Sequence, residues 1–321
     1  MKAIRVHQFG GPEVLALEEI PIPTPAAGEV LIRVHAVGVN PVETYLRSGS
    51  NPTLARPYTP GSDCAGVVVG VGSGVTRVKT GDRVFTSDTI TGSYAEFTLA
   101  SEERAHHFPD RLSFAEAAAI PIPYATAYRA LWQRGAARAG ETVLVHGGSG
   151  SVGLASIQMA RAAGLKVFAT GGTEEGRDQA RREGAHFVFD HHAPDYLQDL
   201  LRLTEGRGVD LILEMLSNIN LGRDLTVLAP RGRVVVIGSR GKVEINPRDT
   251  MSREVDIRGL HLFMASPEDR RTIYAGIASG LENRTLRPIV SLRFSLAQAA
   301  EAHREILSLG SMGKIVLEPL G

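Results

Sequence analysis

A chain of 321 residues, with 35 Lys+Arg set against 35 Asp+Glu, can bury two hydrophobic cores and carries no net field that would draw it to nucleic acid or an anionic membrane surface. The single cysteine, Cys64, has no partner for an internal disulfide, the opening Met1-Lys-Ala-Ile-Arg5 lacks the apolar run of a signal peptide, and no stretch is apolar over the length of a membrane span. The expectation is a two-domain globular protein of the cytoplasm.

Along residues 1–122, apolar runs broken by Gly and Pro mark short strands at 2–9, 30–39, 65–71, 83–85 and 94–99, the pattern of a partly open β-barrel. Gly70-Val-Gly-Ser-Gly74 supplies turns there, since no amphipathic helix follows it as one follows a phosphate loop. Ser113-x-x-Glu116 is a capping-box pattern opening an alanine-rich helix that Pro121 and Pro123 end. A second helical segment over 125–133 leads on through Gly135 and Gly140, and the domain boundary is placed near Pro123.

Glu141-Thr-Val-Leu-Val-His146 reads as a buried strand, and Gly147-Gly-Ser-Gly-Ser-Val-Gly153 as a glycine turn that opens a helix at 154–163. In Gly148-x-Gly150-x-x-Gly153 the first glycine makes the tight turn, the second lets a pyrophosphate approach the backbone, and the third lets helix pack on strand. Gly148, Ser149, Gly150, Ser151, Val152 and Gly153 are therefore the first cofactor-binding candidates, at a helix N-terminus that favours anions. Downstream, strands at 166–169, 187–189, 210–215, 233–237 and 257–262 alternate with helices at 174–183 and 194–204, as in a Rossmann-type doubly wound parallel sheet. Such sheets bind ligands beyond the carboxyl ends of their strands, which singles out 171–173, 190–192, 216–220, 238–240 and 261–263. Helices at 268–281 and 296–309 and a strand at 314–317 make a tail too short for a core of its own, expected to return to the first domain. The predicted domains are thus 1–123 with 264–321, and 124–263.

The stretches Phe9-Gly-Gly-Pro-Glu-Val-Leu15, Gly38-Val-Asn-Pro-Val-Glu-Thr-Tyr45, Pro57-Tyr-Thr-Pro-Gly-Ser-Asp63, Ile122-Pro-Tyr-Ala-Thr-Ala-Tyr128, Gly171-Gly-Thr-Glu-Glu-Gly176, Glu214-Met-Leu216, Gly238-Ser-Arg-Gly241 and Glu244-Ile-Asn-Pro-Arg-Asp-Thr-Met251 run nearly end to end. On them the sequence resembles the zinc-independent quinone oxidoreductases of the medium-chain dehydrogenase/reductase superfamily, in their zeta-crystallin-like branch. The resemblance implies a GroES-like barrel completed by the C-terminal tail, a Rossmann domain between, and a cleft holding NADP. Zinc-using relatives bind metal through Cys and His; one cysteine supplies neither of their sites, and Gly61-Ser-Asp63 stands where they carry Gly-His-Glu. Cys64 reads as a small buried apolar residue. The pairs His106-His107 and His191-His192 are expected to diverge on strands, so no metal site is predicted.

NAD-preferring Rossmann domains place Asp or Glu about 20 residues beyond the glycines, on the ribose 2′-hydroxyl. Here Thr170-Gly-Gly-Thr173 stands there, with Glu174 and Glu175 close behind, which points to NADPH with Arg177 and His191 balancing the 2′-phosphate. The alternatives are a solvated helix charge for Arg177 and a strand-end surface residue for His191. By the resemblance, Gly172, Thr173 and His191 fall at cofactor-contacting positions, as do Asn220, the turn Ile237-Gly238-Ser239-Arg240, the strand end Leu260-His261-Leu262, and Lys314. Ordinary sheet-edge packing is the alternative for these. A buried loop Asn or Tyr commonly just satisfies backbone groups; it is the resemblance that makes Asn40 and Tyr45 catalytic candidates near the nicotinamide, Tyr45 also touching the cofactor. Tyr124, as a catalytic candidate, and Thr126, as a cofactor contact, are of the same kind at the domain crossing, while Tyr94 and Tyr128 read as core.

The leading function is NADPH-dependent reduction of a quinone, which accepts electrons without the electrophile an alkoxide needs. A second enzyme reading is reduction of the double bond of an α,β-unsaturated aldehyde or ketone. A non-enzymatic reading, binding of RNA or a structural crystallin role, comes with the resemblance; zero net charge and the lack of an RNP-type aromatic motif count against RNA. The expected partners are a small-molecule quinone or enone and further copies of the chain, as a homodimer or homotetramer, with no membrane.

Overall fold

All six residues of Val209–Glu214 are buried, and a strand without a solvent face belongs inside a parallel sheet covered on both sides. The computed structural model, which describes residues 1–308, 310 and 312–320, places it there. Phe187–Asp190, Lys166–Gly171, Thr142–Val145, Val209–Glu214, Leu228–Val236 and Asp256–Gly259 lie side by side in that order, all parallel. Counted along the chain this is 3-2-1-4-5-6, the order of the dinucleotide-binding fold, whose direction reverses at the strand that feeds the glycine turn. Phe168 stacks on Phe187 with ring centroids 5.0 Å apart, and Leu144, Leu200, Ile212 and Leu225 fill the same core.

The helix Ser217–Val227 stands where the sequence shows only a strand-end loop. Its anchors are Leu221, Asp224 and Leu225, at i, i+3 and i+4, and the polar middle member hides the amphipathic pattern. The capping-box helix, Phe114–Ala118, ends ahead of Pro121 as expected, and Pro121 also opens the next one: Pro121–Tyr128 begins with it, in the first turn where no N–H is needed.

The chain divides into two compact units, residues 1–122 with 288–321, and residues 123–287. The second crossing therefore falls at 287/288, not at the expected 264, because Pro267–Glu282 stays with the parallel-sheet unit. It buries Ile273, Ile277 and Leu281, and Asp269 in its first turn pairs with Arg129 at 3.0 Å. What returns to the first unit is smaller. Val290–Ser295 pairs parallel with Lys314–Glu318, which joins Glu29–Gly38 antiparallel in a seven-stranded sheet with Asp63–Val71, Arg83–Thr86, Phe97–Ser101 and Ala105–His107. The helix expected at 296–309 is a 3-10 turn, Leu296–Gln298, followed by Ala299–Glu305; Leu309 lies outside the described residues.

Two glycines of the turn face opposite constraints. A Cβ on Gly153 would overlap the Gly147 carbonyl and stand 2.8 Å from Gly148 Cα, whereas one on Gly150 would meet only Gly147 O, at 3.5 Å. Gly153→Ala is expected to cost about 1–3 kcal/mol in denaturant unfolding through overpacking, while Gly150→Ala should stay within about 0.5 kcal/mol of the parent. Equal losses in the two variants would contradict this reading of the turn.

Candidate active site

Gly147, at φ 59, turns the chain out of its strand, and Gly148 N donates to Thr170 O at 2.7 Å, tying the turn to the neighbouring strand. Gly150 is the N-cap of Ser151–Ala162 and offers no side-chain acceptor. The first bond inside that helix is Leu154 N to Gly150 O at 2.9 Å, so the amides of Ser151, Val152 and Gly153 have no intrahelical acceptor. Three free N–H groups at the positive end of a 12-residue helix, with open space where a Gly150 side chain would stand, fit the pyrophosphate of a dinucleotide. Ser149, buried, packs against Gly176 of the next helix, which Thr173 caps through Gly176 N at 3.1 Å.

Beside this turn lies a corner without a free acid. Thr170 is buried, its hydroxyl accepting from Gly147 N at 3.1 Å. A Cβ on Gly172 would stand 2.9 Å from His191 Nε2 and 3.1 Å from His192 Nε2, so both rings close over that glycine. The two imidazoles do not diverge as a strand pair would: their centroids are 4.4 Å apart, edge to face. They sit in the turn beyond Phe187–Asp190, where strand alternation no longer holds, and His192 N donates to Asp190 Oδ1 at 2.9 Å. Burial, with His192 next, lowers the His191 pKa from its ordinary value. Arg177 is already paired, with Glu174 at 2.5 Å and Asp190 at 3.1 Å.

The other strand ends gather along the same carboxyl edge. Ser217 N donates to Gly238 O at 2.9 Å and Arg240 N to Asn218 Oδ1 at 2.8 Å, so the turn Ile237-Gly238-Ser239-Arg240 is zipped to the one after Val209–Glu214. Asn220 donates to Glu214 Oε1 at 3.2 Å, and Leu260 N to Val236 O at 2.9 Å, ahead of the exposed His261 and the 3-10 turn Leu262–Met264. Beneath them His146, Glu214 and Asp224 are buried together, the one group of three His, Cys, Asp or Glu residues among those described whose ligand-type atoms lie within 4.8 Å of one another. The sequence reading missed it, although a polar residue closing an otherwise apolar strand, His146 after Thr142–Val145 and Glu214 at the end of Val209–Glu214, is a readable signal.

In the other unit, Asn40 is 2 % exposed and saturated. Its amide nitrogen has three acceptors in reach for its two hydrogens, Asp63 Oδ2 at 3.0 Å, Gly38 O at 3.1 Å and Glu43 Oε1 at 3.2 Å, while its oxygen accepts from Lys314 Nζ. Lys314 Nζ also stands 3.2 Å from Asp63, both side chains shut off from solvent. Lys314 thus points into the fold, onto Asn40 and Asp63. Burial pushes the Glu43 carboxyl up to about 7 against the pull of Lys314, and Tyr94, core as expected, bonds to His303 Nε2 at 2.9 Å. Tyr45 is half-buried in Pro41–Arg47, and its phenol has no hydrogen-bond partner among the described residues. Tyr124, in the parallel-sheet unit, is committed elsewhere: its buried hydroxyl donates to Gln158 Oε1 at 3.0 Å, bracing the helix behind the glycine turn, and burial raises its pKa. Thr126 is buried in the same helix as Tyr124.

A catalytic zinc needs three or more N, S or O ligands about one centre. At 61–64 the donors are Asp63, held by Lys314, Asn40 and Ile122 N, and Cys64, a buried thiol whose pKa burial raises; these residues do not fit zinc.

A 3-2-1-4-5-6 parallel sheet with this glycine turn, in a chain that leaves a GroES-like unit at 122 and returns to it at 288, defines a medium-chain dehydrogenase/reductase. The alcohol dehydrogenase GroES-like domain matches residues 26–110 and the zinc-binding dehydrogenase domain residues 151–278. The human quinone oxidoreductase is 50% identical over 322 residues, covering 99% of this chain and 97% of the relative. The structure of the Escherichia coli quinone oxidoreductase complexed with NADPH matches with a TM-score of 0.91 at 29% identity, over 99% of this chain and 100% of that one. A mycobacterial protein solved in complex with NADPH matches at 0.92 and 32%, over 99% and 100%. The chain belongs to the quinone oxidoreductase family.

Lys314→Met would strand the Asp63 carboxylate in the core, a loss expected at about 3–5 kcal/mol in urea unfolding. Adding Asp63→Asn to that variant should recover a large part of it. A loss under about 1 kcal/mol would show that the pair does not hold this unit together.

Proposed function

We propose that the protein is an NADPH-dependent quinone reductase acting without a metal. The observation that carries the cofactor is the corner at Thr170-Gly-Gly-Thr173: none of these four residues carries a carboxylate, the flanking Glu174 and Asp190 are both paired with Arg177, and His191 and His192 close over Gly172. Support for the quinone comes from the relatives, which are named for that activity. Bound NADPH supplies the hydride, and the chain binds and orients. The free amides of Ser151 to Gly153 hold the pyrophosphate. Asn40, its hydrogen bonds all committed, positions its surroundings and moves no proton. Tyr45 has the phenol left free to reach a substrate oxygen, and that same observation favours the second reading, in which it protonates carbon in reduction of an enal or enone. Tyr124 drops out of the catalytic set because its hydroxyl braces Gln158. The lone buried Cys64 supports a cytoplasmic setting. We read the assembly as a homodimer, supported by the edge strand Asp256–Gly259 with Ile257, Phe263 and Met264 exposed beside it. Sedimentation equilibrium showing a monomer would remove that part.

Steady-state kinetics should show a strong preference for NADPH over NADH. Because Glu174 and Asp190 already meet the charge of Arg177, His191→Ala should erode the preference more than Arg177→Ala does. Equal kcat/KM for the two cofactors in the parent would sink the assignment.

A panel of 1,2- and 1,4-quinones and short enals, run before and after dialysis against a strong chelator, tests substrate and metal together. Quinone rates should survive dialysis, and Tyr45→Phe should lower quinone kcat/KM by about ten-fold or less, the scale of one neutral hydrogen bond. A larger loss on enals selects the second reading, and a rate restored only by added zinc contradicts the metal-free one.

A further inference from the structure

His146, Glu214 and Asp224 reach one point from three elements: the residue closing the first strand of the parallel sheet, the last residue of Val209–Glu214, and the middle of Ser217–Val227. His146 Nε2 stands 2.8 Å from Asp224 Oδ1 and 3.3 Å from Glu214 Oε2. A ring nitrogen carries one hydrogen, and the shorter distance assigns it to Asp224. Glu214 Oε1 accepts from Leu216 N and from Asn220 Nδ2. Glu214 Oε2 and Asp224 Oδ2 are left buried with no hydrogen-bond partner. Two orphaned carboxylate oxygens in one dry cluster is an arrangement buried polar groups avoid, and a single proton between them satisfies both.

We propose that Glu214 and Asp224 share one proton above a His146 imidazolium, and that this proton fixes the 214–220 turn that borders the nucleotide; the second half rests on the cofactor reading above. The cluster is then neutral overall, one cation against one shared-proton acid pair. It also joins the parts of the site. His146 directly precedes Gly147, Glu214 Oε1 holds Leu216 and Asn220, and Glu214 O accepts from Ile237 N at 2.9 Å and Gly238 N at 3.2 Å. Without the proton two anions face one cation out of water, and relief comes by turning Glu214 away, which frees Leu216 N and Asn220.

Electrostatics agree. Burial pushes the Glu214 carboxyl up to about 7, with Asp224 adding to the rise and His146 opposing it. Burial works against charge on His146, but the Asp224 and Glu214 carboxylates outweigh it and its pKa is raised. The other groups facing the cluster are Arg223 from the same helix, Tyr196, pushed up to about 12 chiefly by burial, and His191, which feels the His146 charge. A carboxyl raised from 4.5 to about 7 contributes stability that is complete below 4.5 and lost as pH rises through about 7.

Glu214→Gln carries an amide hydrogen where the shared proton would lie, at every pH. Two readouts on the full chain test it: thermal melting, and NADPH affinity by fluorescence titration, from about pH 6 to about pH 8. The parent should weaken roughly ten-fold in NADPH affinity over that range, as expected when one group near 7 must stay protonated, and the variant should stay nearly flat. The melting temperature of the variant relative to the parent should rise with pH. If Glu214→Gln does not fold, Asp224→Asn serves, since an asparagine donates to an ionised Glu214 and should move the pH dependence below the range. Parallel pH curves for parent and variant overturn the proposal, as does stoichiometric zinc in the parent that Asp224→Asn loses. Failure of NADPH to bind the parent at any pH refutes the cofactor reading instead, and the melting comparison still decides the proton.

Discussion

The close approach of a helix to the turn that launches it is the constraint on which the rest of the structure depends. Because Gly153 has no side chain, the start of Ser151–Ala162 rests on the backbone of Gly147 and Gly148. That contact stations three unpaired amides beyond the carboxyl end of the strand where the sheet order reverses, the one place in a doubly wound sheet where neighbouring connections part. The bonds of Gly147 and Gly148 to Thr170 fix the turn against the second strand, and with it the acid-free corner at 170–173. The three free amides and the corner at 170–173 are thus set side by side by one steric fact.

Each unit sets a buried polar cluster behind its candidate residues. In one, Lys314 and Asp63 lock Asn40 at the head of the helix that carries Tyr45; in the other, His146, Glu214 and Asp224 lock the turn that carries Asn220. Desolvating such groups offsets most of their Coulombic gain, so their effect is geometric more than stabilising. Apolar packing could fill the same volume, but it would not pin a particular oxygen or amide. A protein whose cofactor supplies the redox power has its remaining work in orientation.

Much of this was legible in the sequence, because the signals were local. An apolar run, a glycine turn at the fingerprint spacing and a following helix are consecutive in the chain, and Ser113 with Glu116 forms the capping box its spacing announces. What stayed hidden depends on pairing across distance. Asp224 carries no signal of its own in the sequence until His146, 78 residues away, is brought beside it. Arg177 reads as a free cation until Asp190 closes on it, and the ring contact of His191 with His192 appears only once the turn has left the strand. The second crossing was misplaced because the buried stripe Ile273, Ile277 and Leu281 is apolar enough for either unit, and only the Arg129–Asp269 pair and its surroundings decide.

The central claim is that this glycine turn and the corner beside it hold NADPH, and a crystal structure of the complex tests it most directly. The account predicts the pyrophosphate within hydrogen-bond reach of the Ser151, Val152 and Gly153 amides, and the 2′-phosphate against Gly172 and His191. A pyrophosphate bound elsewhere, or a 2′-phosphate turned to solvent away from residues 170–173 and 191, would contradict it.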